Sequence, residues 1–346
     1  MRAAVAETAT SSARQDGPKP AERKAYVDGL CGLAMLLVIV GHMNPHWTEF
    51  FVVTSPVKIP LFFVISGFLF RADTREAKPF FSNLFWHIVL PWFFLSLYPL
   101  RLLRALVAFD LSAALKCTYR FVSGADMWYM PCFIVAETIY YFVSRQTHSH
   151  PIHALVCLAI AAGGLVLSNY EVFSFMQFSN ACTAQSFLLL GSEFRLFKEG
   201  ILDGSPARSR AFCIAGIAAY VLLVTASFAW YPGKLMDVHL GSYYSIPLCF
   251  ALIAVGCPTL FVLFEALYRG SALAFVGKNT LVFYMLQYPV RTVFWKVLKK
   301  LGLASWLPQA VQRMLGVAAV LAACTVFALL INRFCPILNG RGRKRD

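Results

Sequence analysis

The chain has 346 residues, of which 59% are hydrophobic and 14% are charged. Its formal net charge is +14. A soluble domain carries about a quarter charged residues, so this composition excludes an ordinary soluble protein. The sequence has no basic stripe interleaved with aromatics in a long polar segment, which argues against a nucleic-acid-binding protein. Lys and Arg residues that collect in cytoplasmic loops and fix the topology of membrane proteins explain the positive charge better than nucleic-acid binding does.

The apolar residues gather in blocks of the length that a helix needs to cross a bilayer. The fold class predicted from these blocks is all-α, a polytopic transmembrane helix bundle with about ten spans. The predicted spans cover 26–43, 57–70, 80–100, 127–143, 153–169, 181–197, 211–230, 243–266, 273–295 and 308–332.

The two ends of the chain are polar and are predicted to lie in the cytoplasm. Residues 1–24 lack an apolar run and are predicted as a disordered tail, 25–334 as the transmembrane domain, and 335–346 as a basic tail. With both termini inside, 20 of the 31 Lys and Arg residues face the cytoplasm, which favours an N-in, C-in topology. The other cations lie outside, chiefly in segments 101–120 and 291–313. The loop around 101–126 is the longest polar segment apart from the tails.

Ionisable groups within a predicted span are costly, and each one is a functional hypothesis. Asp28 and His42 bracket the first span and lie about 21 Å apart along the helix axis. His42 is therefore predicted near the outer face and Asp28 near the cytoplasmic face. The alternative for His42 is an interface histidine that caps the helix or meets a lipid headgroup. His46 and His239 are predicted as loop residues without a role.

Polar and small residues recur in later spans. The Ser66-Gly67 pair allows close backbone approach, either to a ligand or, as simple packing, to another helix. Glu137 is either a structural contact or part of a polar cavity. Tyr284 and Gln287, three residues apart in the ninth block, share one helix face. The histidines of HSHPIH have no accompanying carboxylate or Cys, and no metal site is predicted.

Four stretches, in this order, resemble the acyltransferase-3 superfamily of integral membrane O-acyltransferases. Each stretch is weakly specific alone, but the ordered set covers most of the chain. The stretches are YVDGLCGLAMLLVIVGH, IPLFFVISGFLF, MWYMPCFIVAETIYY and VGKNTLVFYMLQYPV.

The resemblance implies a ten-helix core that transfers an acyl group, usually acetyl from acetyl-CoA, to a carbohydrate hydroxyl. Such O-acetylation modifies cell-surface polysaccharides or lipid-linked sugars, usually at a bacterial inner membrane. The family's first-helix histidine corresponds to His42. Two positions depart from the family pattern, because Cys31 replaces a basic residue and Gln287 replaces a histidine. Lys24 or Arg71 could supply the missing charge.

The resemblance and the chemistry of acyl transfer together assign roles. His42 is predicted as the catalytic general base, since a neutral imidazole suits proton removal from a hydroxyl near pH 7. No permanently bound cofactor is expected, and acyl-CoA acts as the donor substrate. The predicted substrate-binding residues are Asp28, Ser66, Trp128, Tyr284 and Gln287. The residues predicted to bind the acyl-CoA phosphates are Arg71, Arg75 and Lys278.

Three other interpretations stay open at this point. The first is a transporter or flippase that moves a lipid-linked glycan without chemistry. The second is the same fold using succinyl-CoA, with Arg101 or Arg291 binding the free carboxylate. The third is a catalytically inactive family member that acts as a membrane scaffold. The partners common to the enzymatic interpretations are acyl-CoA, a carbohydrate acceptor and the lipid bilayer, with no nucleic acid.

Overall fold

The structure, a computed structural model, describes residues 25–71, 76–147, 149–169 and 175–340 as a bundle of helices. Short π-helical turns at Phe85–Val89 and Lys198–Leu202 and 3-10 turns at Phe175–Gln177 and Pro336–Asn339 join or end some of them. The α-helices are Ala25–Met43 (α1), Thr48–Lys58 (α2), Pro60–Leu69 (α3), Ala77–Leu84 (α4), Leu90–Leu95 (α5), Tyr98–Val107 (α6), Leu111–Ser123 (α7), Tyr129–Gln146 (α8), His150–Asn169 (α9), Phe178–Thr183 (α10), Gln185–Phe197 (α11), Pro206–Trp230 (α12), Ile246–Leu267 (α13), Ala272–Lys278 (α14), Thr280–Lys300 (α15), Leu303–Trp306 (α16) and Gln309–Phe334 (α17).

Six of the described helical segments are long and apolar enough to cross a membrane, which makes this an integral membrane protein. Ala77–Leu95 and Tyr98–Val107 meet at a bend of 45°, and they make a seventh candidate if the bent pair is one span. The count of ten spans and the N-in, C-in topology stay predictions. The six segments are Ala25–Met43, Thr48–Leu69, His150–Ser168, Pro206–Trp230, Ile246–Leu267 and Gln309–Phe334.

The remaining predicted spans are helical but carry more polar residues or are shorter. α8 contains Glu137, α11 has 13 residues, and α15 contains Arg291 and Lys296. The second predicted span begins earlier than expected, since α2 and α3 follow one another from Thr48 to Leu69. The polar segment 101–126 is not an open loop, because α6 and α7 occupy most of it.

α1 lies at the centre of the bundle and contacts α2, α3, α13, α14, α15 and α17. Glycines bring its N-terminal half against α14. A Cβ atom at Gly277 would lie 1.8 Å from the carbonyl oxygen of Asp28, and one at Gly32 would lie 1.9 Å from that of Leu273. The two backbones are therefore in direct contact, as in small-residue packing of membrane helices.

The Ser66-Gly67 pair packs in a similar way. A Cβ atom at Gly67 would lie 1.9 Å from the carbonyl oxygen of Leu188 in α11, which confirms the close-packing interpretation for this glycine. The Ser66 hydroxyl donates a hydrogen bond to Glu137. The carboxylate of Glu137, which is costly inside a span, thus has a polar partner on a neighbouring helix.

The first described residues of the predicted C-terminal tail pack against the bundle. Asn339, in the 3-10 turn after α17, is buried, and its Nδ2 donates to Oδ1 of Asn279 at 2.6 Å and of Asn332 at 2.6 Å. Residues 341–346 and the predicted N-terminal tail lie outside the described residues.

Candidate active site

The C-terminal end of α1 presents His42 to open space. The His42 side chain is exposed although its neighbours Gly41 and Met43 are buried. Its Nδ1 lies 3.1 Å from Oε1 of Gln287 on α15, a residue 245 positions away in sequence. The fold therefore brings together His42, which corresponds to a histidine of the resembled family, and Gln287, which stands where that family often has another histidine.

A second hydrogen bond fixes the orientation of the Gln287 amide. Its Nε2 donates to the carbonyl oxygen of Tyr284 at 3.3 Å, so its Oε1 faces His42. An amide oxygen accepts only, and His42 must therefore donate through Nδ1. In the neutral imidazole this tautomer leaves Nε2 with a free lone pair, which is what a general base needs.

One face of α15 supplies the wall opposite α1. Tyr284, Gln287 and Arg291 follow at intervals of three and four residues, which places them on the same side of a helix. Nη1 of Arg291 donates to the carbonyl oxygen of His42 at 2.9 Å, and its guanidinium lies 4.7 Å from the ring centroid of Tyr288. Arg291 thus satisfies a carbonyl at the end of α1 and holds the two helices together at the site.

A cleft of about 480 Å³ opens beside His42, and we call it the His42 cleft. Helices α1, α2, α15 and the loops 126–128 and 235–239 form its walls. Aromatic rings are prominent among them: Trp128 stacks on His239 with 4.9 Å between ring centroids, and Tyr284 and Tyr288 lie across from α1. Its volume is in the range of small-molecule sites.

Charged side chains complete the lining of the His42 cleft. Lys58 reaches it from the end of α2, with Nζ 4.1 Å from the centroid of the Phe51 ring. Asp126 lines the cleft and pairs with Arg101 at 3.0 Å. Asp237 lies in the loop after α12, where its Oδ1 accepts the backbone N–H of His239 at 2.8 Å. The cleft therefore offers both cations and carboxylates to a ligand.

His239 lies in this loop rather than in a membrane-spanning helix. Burial against its surroundings lowers the pKa of the imidazole, while the nearby Asp237 carboxylate opposes that shift. Its ring is therefore favoured in the neutral form, which suits its flat contact with Trp128.

The structure brings four of the predicted site residues together and separates the others. His42, Trp128, Tyr284 and Gln287 all line the His42 cleft. Ser66 contacts Glu137 within the bundle. The buried Asp28 carboxylate lies at the other end of α1, with Oδ2 3.9 Å from Nζ of Lys278.

The cations predicted to bind acyl-CoA have different outcomes. Lys278 is exposed at the Asp28 end of α1, and Arg71 is exposed just after α3. Arg75 lies outside the described residues. So does Lys24, which the sequence offers only as a possible substitute for the charge absent at Cys31. Cys31, where the family pattern has a basic residue, is buried in the core.

Sequence reasoning missed Lys58, Asp237 and His239 as members of the cleft. The sequence does contain a signal for Lys58, because this charged residue lies in the apolar run that leads into IPLFFVISGFLF. An ionisable residue in an apolar segment is costly and therefore a functional candidate, as it is for Glu137. No comparable signal marks the loop residues, since a loop that folds over a site looks like any other polar connection.

The long apolar helical segments define a polytopic membrane protein, and the cleft beside His42 is its candidate ligand site. The chain belongs to the acyltransferase-3 family, whose model, described as an acyltransferase domain, matches residues 24–333. This family membership makes the protein a membrane acyltransferase. No curated protein and no solved structure matches the chain.

Proposed function

We propose that the protein transfers an acetyl group from acetyl-CoA to a hydroxyl of a carbohydrate, with His42 as the general base. The observation that carries the proposal is the hydrogen bond from His42 Nδ1 to Gln287, which makes Nε2 the acceptor nitrogen of a neutral ring that lines an open cleft. Family membership supports acyl transfer over transport without chemistry.

The reaction proceeds by attack of the acceptor hydroxyl on the thioester carbonyl. His42 Nε2 takes the hydroxyl proton as the C–O bond forms, and a tetrahedral intermediate with a negative oxygen results. The intermediate collapses by breaking the C–S bond. The ester stays on the acceptor, and the imidazolium returns its proton to the departing thiolate, so that His42 is neutral again.

Lys58 and Arg291 are the candidates for stabilising the negative oxygen. Both line the His42 cleft, and Arg291 is fixed in place by its bond to the His42 carbonyl. A fixed cation near a developing charge stabilises the transition state more than the ground state. These two residues offer the positive charge that Cys31 does not supply.

The lining of the His42 cleft supports a carbohydrate as acceptor. Trp128 and Tyr284 provide flat apolar surfaces, and the carboxylates of Asp126 and Asp237 accept hydrogen bonds from hydroxyl groups. Apolar walls with a few placed polar groups are typical of small-molecule sites. The acceptor in this proposal is a cell-surface polysaccharide or a lipid-linked sugar at the bacterial inner membrane.

Succinyl-CoA is the second candidate donor because Arg291 stands in the His42 cleft. A guanidinium there could bind the free carboxylate of a succinyl group. Arg101, the other cation considered for this role, is paired with Asp126. In either case the donor enters from the cytoplasmic side in the predicted topology.

The test is a transfer assay on purified protein in detergent, with envelope glycans of the host as acceptors. Radiolabelled acetyl-CoA and succinyl-CoA are supplied in parallel, and the product ester is located by mass spectrometry. We expect label from acetyl-CoA in an alkali-labile ester on a sugar. Label from succinyl-CoA alone would replace the donor, and no transfer from either donor with a folded protein would contradict the proposal.

A further inference from the structure

A second cleft lies on the other side of His42, between α15 and α17, with a volume of about 590 Å³. We call it the α15–α17 cleft. His42 and Arg291 line both clefts, so the two spaces meet at the proposed catalytic base. Its further polar lining comes from Thr292, Lys296, Gln309, Gln312 and Arg313.

The lining of the α15–α17 cleft is strongly positive. Arg291, Lys296 and Arg313 contribute three cations, and the described lining residues include no Asp or Glu. Arg291 bonds to a backbone carbonyl and Arg313 lies 3.3 Å from the Gln309 side-chain oxygen. Within the described part of the chain, none of the ion pairs involves these three cations. Basic side chains that line one cleft without a carboxylate suit phosphate groups.

In the predicted N-in, C-in topology, the positive-inside rule does not account for these cations. In the predicted orientation His42 and the segment 291–313 face outward, the side on which Lys and Arg are depleted. A cluster that runs against the topological trend needs another explanation, and a bound anion supplies one.

The surroundings of the cleft are apolar and exposed. The side chains of Trp306 and Met314 are 87% and 73% exposed, and they flank the α15–α17 connection. In a membrane protein such a surface faces lipid or its interface, where Trp is enriched. A ligand with a lipid part could therefore reach the cations from the bilayer. A water-soluble nucleotide would not need such an apolar surface beside its binding site.

We propose that the α15–α17 cleft binds the phosphate group of an amphiphilic, membrane-held acceptor whose hydroxyl-bearing part extends into the His42 cleft. This inference rests on the proposed function and names the chemical form of its acceptor. Lys296 and Arg313 contact the phosphate, and Arg291 stands at the junction of the two clefts, between the phosphate and His42. The phosphates of acyl-CoA are the other source of the same chemistry, and the experiment separates the two.

The test measures binding without turnover, in nanodiscs of phosphatidylcholine. The probes are dodecyl phosphate, dodecanol as the uncharged match, and coenzyme A. The variant is Lys296→Gln/Arg313→Gln, and its matched control is Lys299→Gln/Lys300→Gln, which removes two exposed cations outside the cleft. Thermal melting of each variant verifies that it is folded.

We expect the wild type to bind dodecyl phosphate in preference to dodecanol. The double variant in the cleft should weaken that binding at least ~10-fold, because two charge-assisted contacts are lost. The control variant should leave it unchanged, and added salt should weaken it in the wild type.

Equal binding of dodecyl phosphate and dodecanol, or equal binding by the variant and the wild type, would overturn the proposal. Binding of coenzyme A alone, lost in the cleft variant, would assign the site to the donor and would also overturn it. Because binding is read without turnover, failure of acyl transfer in the separate assay leaves this result intact. The two proposals can therefore fail independently.

Discussion

The two ends of α1 are packed in different ways, although one continuous apolar helix joins them. At the Asp28 end, glycines of α1 and α14 put the two backbones in contact and the Asp28 carboxylate is 1% exposed. At the His42 end, the side chain is exposed and two clefts open beside it. Both ends carry an ionisable residue, so a charge near a membrane face does not by itself mark a site. The packing of the neighbouring helix decides which end has room for a ligand.

The difference follows from what the partner helices contribute. α14 offers Gly277 to α1, whereas α15 offers Tyr284, Gln287 and Arg291. Small residues allow close approach and leave no cavity, and large polar residues hold the helices apart. The closed end is therefore expected to govern stability and the open end to govern activity.

Replacement of the base at the open end should give the largest effect. We expect His42→Ala to lower the rate of acyl transfer about 10²- to 10⁴-fold, because proton removal from the hydroxyl loses its acceptor. The assay compares initial rates with those of His46→Ala, which removes an exposed histidine of the following loop. Equal rates for both variants would remove His42 from the mechanism.

Substitution at the closed end should act on stability. In Gly277→Ala the new Cβ atom would meet the carbonyl oxygen of Asp28, so α1 and α14 must separate. We expect a loss of about 1–3 kcal/mol in the free energy of unfolding, as for other overpacked sites. The control is Gly200→Ala, whose Cβ atom would meet no other atom within 4 Å. Similar melting temperatures for the two variants would contradict the direct backbone contact.

Loss of the residue that orients the base should give a smaller decrease in activity. Gln287→Leu removes the acceptor for Nδ1–H of His42, and we expect kcat to fall about 10-fold, the equivalent of one hydrogen bond, while KM changes little. Gln287→Glu keeps an oxygen at that position and should retain more activity than the leucine variant. A rise in KM with kcat unchanged would instead place Gln287 among the substrate contacts.

The smallest expected effect concerns pH and the loop that covers the His42 cleft. Burial lowers the pKa of His239, so the folded protein binds its proton less readily than the unfolded chain does. The stability contributed by the neutral ring is present above the unfolded pKa, near 6.5, and is lost as the pH falls below it. Between pH 7.5 and 5.5 the melting temperature of the wild type should fall more than that of His239→Gln. Parallel decreases would contradict the lowered pKa of this ring.

Much of the fold could be predicted from the sequence because lipid imposes length and apolarity on a spanning helix. α12 shows this best, since only 6% of its apolar stretch is buried and its sequence records little besides contact with lipid. α15 shows the reverse: Arg291 and Lys296 reduce its apolar character because it builds the site.

The candidate site was predictable in part. His42, Tyr284 and Gln287 are polar residues in apolar blocks, and Trp128 lies in the stretch MWYMPCFIVAETIYY. Their meeting with Lys58 and His239 depends on tertiary contacts between segments far apart in sequence. The single sequence offers no signal for such contacts, and the closure of the Asp28 end by Gly277 was hidden for the same reason.

Catalysis by His42 on a hydroxyl in the His42 cleft is tested most directly by a structure of the protein in nanodiscs with a non-transferable thioether analogue of acetyl-CoA and an acceptor sugar. We expect an acceptor hydroxyl about 3 Å from Nε2 of His42, within the cleft that Trp128 and Tyr284 line. Acceptor density at the Asp28 and Lys278 end of α1, with the His42 cleft empty, would contradict this expectation.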